Sequence, residues 1–323
     1  MSDIQPWAFP ESSRPDRSAL DFDLEPLLDA VLEIRVEVPE DAYTAGTLGT
    51  ERGGNAVLIA PGIALTIGYL ITEASTIWLT SRTGLVVPAY PLAYDQATGF
   101  GLVRALGSLP MDPLPRGRAS ELEKSELVYV LSHGGWPHAL TARVADKREF
   151  AGYWEYLLDE ALFTHPAHPE WSGAALINRQ GELVGIGSLL TQQLSEAEPE
   201  QGNVFVPVDL LEPILESLIS TGVSGLPPRP WLGLYAGETD AGVQVGSLAR
   251  RGPAEQAGLQ SDDLILDVAG ERVRSLAELY RAVWRVGPAG VRVPLTIARG
   301  GDVLRISVAS MDRAAVLKRP VMH

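Results

Sequence analysis

The chain contains no cysteine, and this absence excludes disulfide bonds, thiol catalysis and the usual zinc sites. Histidine is also scarce, with 5 in the chain, and none precedes His133. Acidic residues outnumber basic ones, 41 to 26, which gives a net charge of -15. Such a surface repels phosphate backbones and anionic lipid. We therefore expect neither nucleic acid nor membrane as a partner.

A long uninterrupted membrane span is also lacking. Residues 53–72 carry no charge, but Pro61 and Gly62 break this stretch into two short runs rich in β-branched residues. This pattern predicts a buried hairpin rather than a transmembrane helix. The N-terminus has no basic cluster followed by an apolar core, so no secretory signal is visible. We expect a cytoplasmic protein, or a periplasmic one if a leader has been removed; cysteine usage does not distinguish these compartments.

Short strands separated by glycine, proline and charged turns dominate the chain, a pattern typical of a β-barrel or sandwich. The final third alternates strands with one longer helix, which indicates a small mixed α/β unit. The predicted organisation is an N-terminal arm and short helix at 1–33, a double β-barrel at 34–220 with barrels at about 34–115 and 116–210, a linker at 221–230, an α/β domain at 231–313 and a tail at 314–323.

Two segments carry recognisable motifs. The first runs from Pro169 through Trp171-Ser172-Gly173-Ala174 to a strand at residues 182–186, and it resembles the nucleophile loop of trypsin-like serine proteases. The second begins at Trp231-Leu232-Gly233-Leu234 and continues into residues 252–266, where proline-alanine-x-x-alanine-glycine-leucine precedes an aspartate and an apolar strand. This second segment resembles a bacterial PDZ domain.

Together the two segments resemble the high-temperature-requirement (HtrA) family of trypsin-like proteases over residues 25–312. The resemblance implies a mainly β fold, with a trypsin-like double β-barrel followed by a small α/β PDZ domain. It also implies that a peptide C-terminus adds to the PDZ domain as a strand. The amides of Leu232, Gly233 and Leu234 would hold the carboxylate, and Leu279, Val283 or Val286 would line the apolar pocket. Homotrimers are common in the family, so a homo-oligomer is expected by resemblance.

The catalytic positions of the family differ in this chain. Tyr69 stands where the family has its histidine base, and Gly99 stands where it has the orienting aspartate. Glu170 replaces a glycine whose amide forms part of the oxyanion hole. Asp95 matches a separate, structural aspartate of the family. A serine needs a base to become nucleophilic, and tyrosine, with a pKa near 10, is about one part in a thousand ionised at pH 7.

These substitutions predict a catalytically degenerate protein, a pseudoprotease that is not an enzyme and that binds peptides or protein C-termini as a scaffold or quality-control adaptor. Ser172 is then a remnant, a small residue tolerated in a tight turn. No cofactor and no metal are expected. A first alternative is a serine endopeptidase in which Ser172 works with a non-standard base.

A second alternative is a metal or small-ligand site in the loop that contains His165 and His168, where the default expectation is exposed loop histidines. A metal there would need further ligands, such as His138 or Glu170. The loop that contains His133 and His138 is expected to be a structural turn. Several aromatic residues of this half could line a protein-binding cleft, although core packing accounts for most such residues; they are Trp136, Tyr153, Trp154, Tyr156 and Trp171.

Overall fold

A computed structural model of the chain describes residues 7–192 and 200–318. Residues 1–6 of the predicted arm and 319–323 of the predicted tail lie outside the described residues. The chain divides into two compact units. The second contains Glu149–Asp159 and Leu226–Leu317, and the first contains the other described residues.

The first unit begins with a barrel that closes in the strand order β1-β2-β3-β6-β5-β4. Alternation drives this closure: β1 turns Ile34 and Val36 into the core and leaves Arg35 and Glu37 exposed. The uncharged stretch at 53–72 forms the hairpin of β2 and β3 and then a short helix, as the sequence predicted. The elements are α1 Leu24–Asp29, β1 Val31–Glu37, α2 Ala45–Leu48, β2 Glu51–Ala60, β3 Ile63–Ile67, α3 Gly68–Ile71, β4 Thr76–Thr80, β5 Val86–Tyr94 and β6 Phe100–Ala105.

A second barrel of the same unit closes in the order β10-β11-β12-β9-β8-β7. Its core contains fully buried side chains from several strands, among them Val130, Leu176 and Phe205. The long strands β8 and β9 extend beyond the barrel, and their outer ends with the connecting turn belong to the second compact unit. The elements are β7 Leu127–Leu131, β8 Leu140–Gly152, β9 Tyr156–His165, β10 Ala175–Ile177, β11 Leu183–Thr191, β12 Gly202–Pro207 and α4 Leu215–Thr221.

The second unit is a sheet in the order β13-β14-β15-β17-β18, with β16 paired to β15, and one long helix. Ser275 caps that helix by accepting a hydrogen bond from the amide of Glu278, as the sequence motif predicted. The helix packs its buried face, including Leu279 and Val283, into the core of the unit. The elements are β13 Leu234–Thr239, β14 Gly242–Leu248, α5 Pro253–Gln256, β15 Leu264–Val268, β16 Glu271–Arg272, α6 Leu276–Val286, β17 Arg292–Arg299 and β18 Asp302–Ala309.

The predicted fold class is confirmed: the chain is mainly β, with a double barrel followed by a small α/β domain. In the described ranges 7–192 and 200–318, no helix is both long and apolar enough to cross a lipid bilayer. One difference concerns residues 149–159. The sequence assigned them to the barrel domain, whereas the structure groups them with the C-terminal domain. This grouping places the turn between β8 and β9 in the same compact unit as Leu232, Gly233 and Leu234.

Candidate functional sites

The loop that contains Ser172 is fixed by close backbone packing. Gly173 has φ +73°, and a Cβ at this position would lie 1.9 Å from the carbonyl oxygen of Asn55. The carbonyl of Ser172 accepts hydrogen bonds from the backbone N–H of Asn55 and from its side-chain Nδ2, at 2.8 and 3.0 Å. Only glycine fits this combination of positive φ and close approach. The loop is therefore held in one conformation that presents Ser172.

The side chain of Ser172 is paired with Tyr69, which lies on α3. The two hydroxyl oxygens are 2.6 Å apart, and the oxygen of Tyr69 is 2.9 Å from the carbonyl oxygen of Ser188. A carbonyl can only accept, so Tyr69 donates its single hydrogen to Ser188. Ser172 must therefore donate its own hydrogen to Tyr69. The serine hydroxyl is therefore the donor, as it would be towards a catalytic base, but the acceptor here is a neutral phenol.

Burial raises the pKa of Tyr69 to about 12, although hydrogen bonds with Ser172 and Trp171 act in the opposite direction. The phenol is therefore protonated throughout the physiological pH range. In the described part of the chain, no histidine side chain is a hydrogen-bond partner of Ser172. Tyr69 is the group placed to interact with the Ser172 proton.

Gly99, predicted to stand at the position of the orienting acid, carries no side chain. Gly99 has φ +82°, and its carbonyl accepts the backbone N–H of Gly68 at 2.7 Å, next to Tyr69. The carboxylate of Asp95 instead accepts the backbone N–H and the hydroxyl of Thr98, both at 2.8 Å. Asp95 thus stabilises its own turn, the structural role expected from the sequence. At residue 99 the first barrel therefore contributes a backbone carbonyl and no side-chain carboxylate.

Glu170, predicted to stand at the oxyanion position, is directed into a polar cluster. Its carboxylate accepts a hydrogen bond from the hydroxyl of Ser132 at 2.9 Å, lies 3.2 Å from Nδ1 of His138, and accepts Nε1 of Trp7 at 3.2 Å. Burial disfavours ionisation of Glu170, but the bonds with His138 and Ser132 outweigh it, so its pKa lies below the ordinary value. Its backbone N–H donates to Nδ1 of His168 at 3.0 Å. That amide is therefore already paired in this conformation.

His168 was expected to be an exposed loop histidine, and this expectation is wrong. It is fully buried, with Nε2 2.7 Å from the carbonyl of His138 while Nδ1 accepts the Glu170 amide. These two partners require the neutral tautomer that carries its proton on Nε2. Burial lowers the pKa of His168 to about 4, which agrees with a neutral ring.

The histidines do not assemble a metal site in the described residues. His165 is exposed and contacts the carbonyl of Gln201, while His133 contacts the side-chain oxygen of Asn55. Among residues 7–192 and 200–318, no group of three or more carboxylates and imidazoles is placed to hold a metal ion. Two of the histidines instead pack against the N-terminal arm: the ring of Trp7 contacts that of His138, and the ring of Phe9 contacts that of His168.

A second site lies in the C-terminal domain, where the amides predicted to bind a carboxylate do contact one. The N–H groups of Leu232, Gly233 and Leu234 donate to the carboxylate of Glu155 at 2.9, 2.7 and 3.1 Å. Gly233 has φ +74°, which lets three consecutive amides converge on one anion. Burial raises the pKa of Glu155 to about 7, against the lowering effects of the three amides and of Arg313.

The apolar residues predicted beside these amides also lie together. Leu279 and Val283 of α6 share one buried cluster with Leu232 and Leu234, and Val286 packs against it. Leu157 of strand β9 is buried in the same cluster.

Neither Glu155 nor Leu157 was singled out in the sequence, where an acid in a hairpin turn is expected to be exposed. The one available signal was an acidic residue enclosed by aromatic neighbours from Tyr153 to Tyr156.

Two family comparisons match this architecture. Residues 54–186 match the trypsin-like peptidase domain, and residues 230–309 match the PDZ domain. The first range includes Tyr69, Gly99 and Ser172, and the second includes both the amide loop and α6.

Several serine endoproteases are similar to the chain in sequence. Serine endoprotease DegS of Escherichia coli strain K12 is 26% identical over 279 residues, which cover 81% of this chain and 77% of DegS. A probable periplasmic serine endoprotease DegP-like of Hahella chejuensis is 25% identical, with 79% of this chain and 56% of that protein covered. These relatives extend the similarity across both domains.

Solved structures support the same fold. HtrA-type protease AlgW with a tripeptide has a TM-score of 0.54 and 18% identity, covering 92% of this chain and 97% of AlgW. A serine endoprotease from Yersinia pestis has a TM-score of 0.52 and 20% identity, covering 90% and 96%. At such identities the similarity shows the fold.

The comparisons correct one prediction. The expectation that the chain is not an enzyme is wrong, because relatives that match across both domains are named serine endoproteases. Ser172 keeps its place in the loop, with Tyr69 as the hydrogen-bond partner of its hydroxyl. The chain contains a trypsin-like peptidase domain at residues 54–186 followed by a PDZ domain at residues 230–309, and it is similar across both domains to HtrA-type serine endoproteases.

Proposed function

We propose that the chain binds the C-termini of peptides or proteins through its PDZ domain. One observation carries this proposal: the three consecutive amides of Leu232, Gly233 and Leu234 converge on a carboxylate. A loop of this kind captures C-terminal carboxylates, while the adjoining strand edge pairs with the peptide backbone. Leu279 and Val283 belong to the apolar cluster that also contains Leu232 and Leu234. The ligand is therefore a peptide with an apolar last residue and a free carboxylate.

The experiment is a binding screen of the full chain against immobilised peptides that differ in their last residue, each made with a free carboxylate and with a C-terminal amide. We expect binding to require the free carboxylate and to favour apolar last residues. Gly233→Ala is the loop variant, because its Cβ would lie 3.0 Å from Cβ of Ala249 and its φ is positive. Equal binding of acids and amides would refute the proposal.

A second proposed function is a serine endopeptidase centre in which Ser172 is the nucleophile and Tyr69 occupies the base position. The donation of the Ser172 proton to Tyr69 favours it. Only the tyrosinate form of Tyr69 can remove that proton, and a pKa of about 12 makes this form about one part in 100,000 at pH 7. The proposed enzyme is therefore slow at neutral pH, and its rate rises in alkaline solution.

Labelling by a fluorophosphonate probe tests this second function. We expect slow covalent labelling of the wild-type chain that is abolished in Ser172→Ala and reduced in Tyr69→Phe. Phenylalanine retains the ring but has no oxygen to accept the serine proton. Labelling of equal rate in wild type and Tyr69→Phe would remove Tyr69 from the reaction, and labelling that persists in Ser172→Ala would place the reactive group elsewhere.

Two further expectations remain proposals. Assembly into a homo-oligomer, such as a trimer, follows from the family resemblance. A cytoplasmic location, with a periplasmic one as the alternative, also stays a proposal; one relative is named as a probable periplasmic protein. Sedimentation of the purified chain tests the first, and fractionation of the producing cells tests the second.

A further inference from the structure

The turn between β8 and β9 contacts β13 as an added peptide strand would. The carbonyl of Tyr153 accepts the backbone N–H of Ala236 at 3.2 Å. Ala236 lies two residues after Leu234, the last of the amides that hold the carboxylate. A peptide that pairs with the edge of this sheet uses backbone hydrogen bonds of this kind. The turn thus takes the place of a ligand backbone.

Glu155 supplies the carboxylate two residues further along. Its side chain accepts the amides of Leu232, Gly233 and Leu234, the contacts expected for the end of a peptide. The backbone of Glu155 has φ +60°, unusual for a residue other than glycine. The backbone therefore turns away from the sheet edge at the point where a bound peptide would end. The Glu155 side chain supplies the carboxylate that the last residue of a peptide would supply.

Leu157 and Tyr280 complete the contact. Leu157 is buried with Leu279 and Val283, in the cluster expected to receive the last side chain of a ligand. The hydroxyl of Tyr280 on α6 donates to the carbonyl of Gly152 at 2.7 Å and accepts the backbone N–H of Glu155 at 3.3 Å. Backbone, carboxylate and apolar side chain are thus all provided from within the chain.

We propose that the turn between β8 and β9 is an internal ligand of the PDZ domain, with the Glu155 carboxylate occupying the site of a peptide C-terminus. An external peptide binds only by displacing this turn. The inference rests on the proposed peptide-binding function and adds its regulation. Because the competitor is covalently tethered, a peptide must offer both a carboxylate and an apolar terminal side chain to replace what Glu155 and Leu157 provide.

Two sets of charged groups contact the docked turn. Arg313 attracts the Glu155 carboxylate, and its Nε and Nη1 are buried without a hydrogen-bond partner in the described residues. On the outer side of the hairpin, Arg281 of α6 pairs with Glu149 and Asp159. The turn is therefore held by the buried carboxyl group of Glu155 and, separately, by exposed ion pairs that contribute little, so the contribution of Glu155 can be removed alone.

The test uses fluorescence anisotropy with the full chain and a labelled peptide, Ala-Gly-Tyr-Trp-Leu, which copies residues 151–154 and ends in a free leucine carboxylate. We expect Glu155→Ala to bind this probe at least about tenfold more tightly than the wild-type chain, because the fraction of open sites rises. Glu149→Gln is the matched control: it removes a carboxylate of the same hairpin that pairs with Arg281, and it should bind as weakly as wild type.

Equal affinity of wild type and Glu155→Ala would overturn the internal-ligand inference and leave the peptide-binding function standing. If neither chain prefers the free carboxylate to the amidated probe, the peptide-binding function itself falls, together with the inference. Glu155→Gln, which keeps the side-chain length, is a second variant and should give an intermediate affinity.

Amide hydrogen exchange verifies that the variants are folded. Gly233 should lose protection in Glu155→Ala, whereas the amide of Val245, bonded to the carbonyl of Asp263, should keep it. Unchanged protection at Gly233 would show that Glu155 does not occupy the loop, and would also overturn the inference. If Val245 loses protection as well, Glu155→Gln takes the place of the alanine variant in both measurements.

Discussion

Ser172 donates its hydroxyl hydrogen to Tyr69 across 2.6 Å, and Tyr69 in turn donates to the carbonyl of Ser188. The direction of these two bonds follows from the single hydrogen on each hydroxyl. It means that the serine proton already points to the group at the base position. What limits the pair is the basicity of the phenol, and this property can be changed by substitution and by pH.

The double variant Tyr69→His, Gly99→Asp should raise the reactivity of Ser172. Imidazole is a far better base than phenol at pH 7, and a positioned base contributes roughly 100- to 10,000-fold. The aspartate introduced by Gly99→Asp would take a left-handed conformation, at a cost of about 1 kcal/mol. The measurement is the fluorophosphonate labelling rate, with Ser172→Ala added to the same background as the control. A rate no higher than that of wild type would show that another group, such as the paired amide of Glu170, limits the site.

The reactivity of wild-type Ser172 should also increase with pH. With the pKa of Tyr69 at about 12, the tyrosinate fraction grows about tenfold per pH unit between about pH 8 and 11. We expect the labelling rate to follow this slope. Tyr69→Phe is the control and should show no such rise. A wild-type rate that levels off near pH 7 would indicate a histidine base and contradict the role given to Tyr69.

The same shift predicts the effect of alkaline pH on stability. The pKa of Tyr69 in the folded chain lies above the ordinary value of 10. The stabilisation linked to this shift is therefore fully present below pH 10 and is lost from the free energy of unfolding as the pH rises towards 12. The difference of about two units corresponds to roughly 3 kcal/mol. Urea unfolding of wild type and Tyr69→Phe at pH 8 and above 10 measures it. The two chains should differ more at the lower pH, and a constant difference would contradict the raised pKa.

The conformation of the Ser172 loop depends on Gly173, and Gly62 offers a control substitution. Gly173→Ala would bring a Cβ within 1.9 Å of the Asn55 carbonyl, so the backbone must move, and we expect a loss of roughly 3 kcal/mol or more. Gly62 also has positive φ, but a Cβ added there would have no other atom within 4 Å. Gly62→Ala should therefore cost only about 1 kcal/mol. Thermal unfolding compares the two, and equal losses would show that φ alone, rather than close contact, sets the cost.

The sequence predicted those features of the molecule that depend on local pattern. The cap at Ser275 follows from short-range hydrogen bonding, whereas the Ser172 loop and the amides of residues 232–234 were located by their resemblance to trypsin-like and PDZ domains. Glu155 could not be predicted in this way, because its partner Leu232 is 77 residues away and aromatic neighbours alone do not indicate a buried acid. His168 was misjudged for the same reason, since its burial results from the contacts of Phe9 and His138.

The docking of Glu155 should weaken as the pH rises. Its pKa is about 7 when docked and close to the ordinary value of 4.5 when the turn is displaced, so docking takes up a proton. The docked state is then most favoured below pH 4.5 and loses up to about tenfold in its equilibrium constant per pH unit between pH 4.5 and 7. The neighbouring hydroxyl of Tyr280 stays protonated in this range, because burial raises its pKa. Binding of the Ala-Gly-Tyr-Trp-Leu probe should therefore tighten from about pH 5 to 7 in wild type and stay level in Glu155→Gln. Parallel pH profiles for the two chains would mean that Glu155 does not titrate in the site.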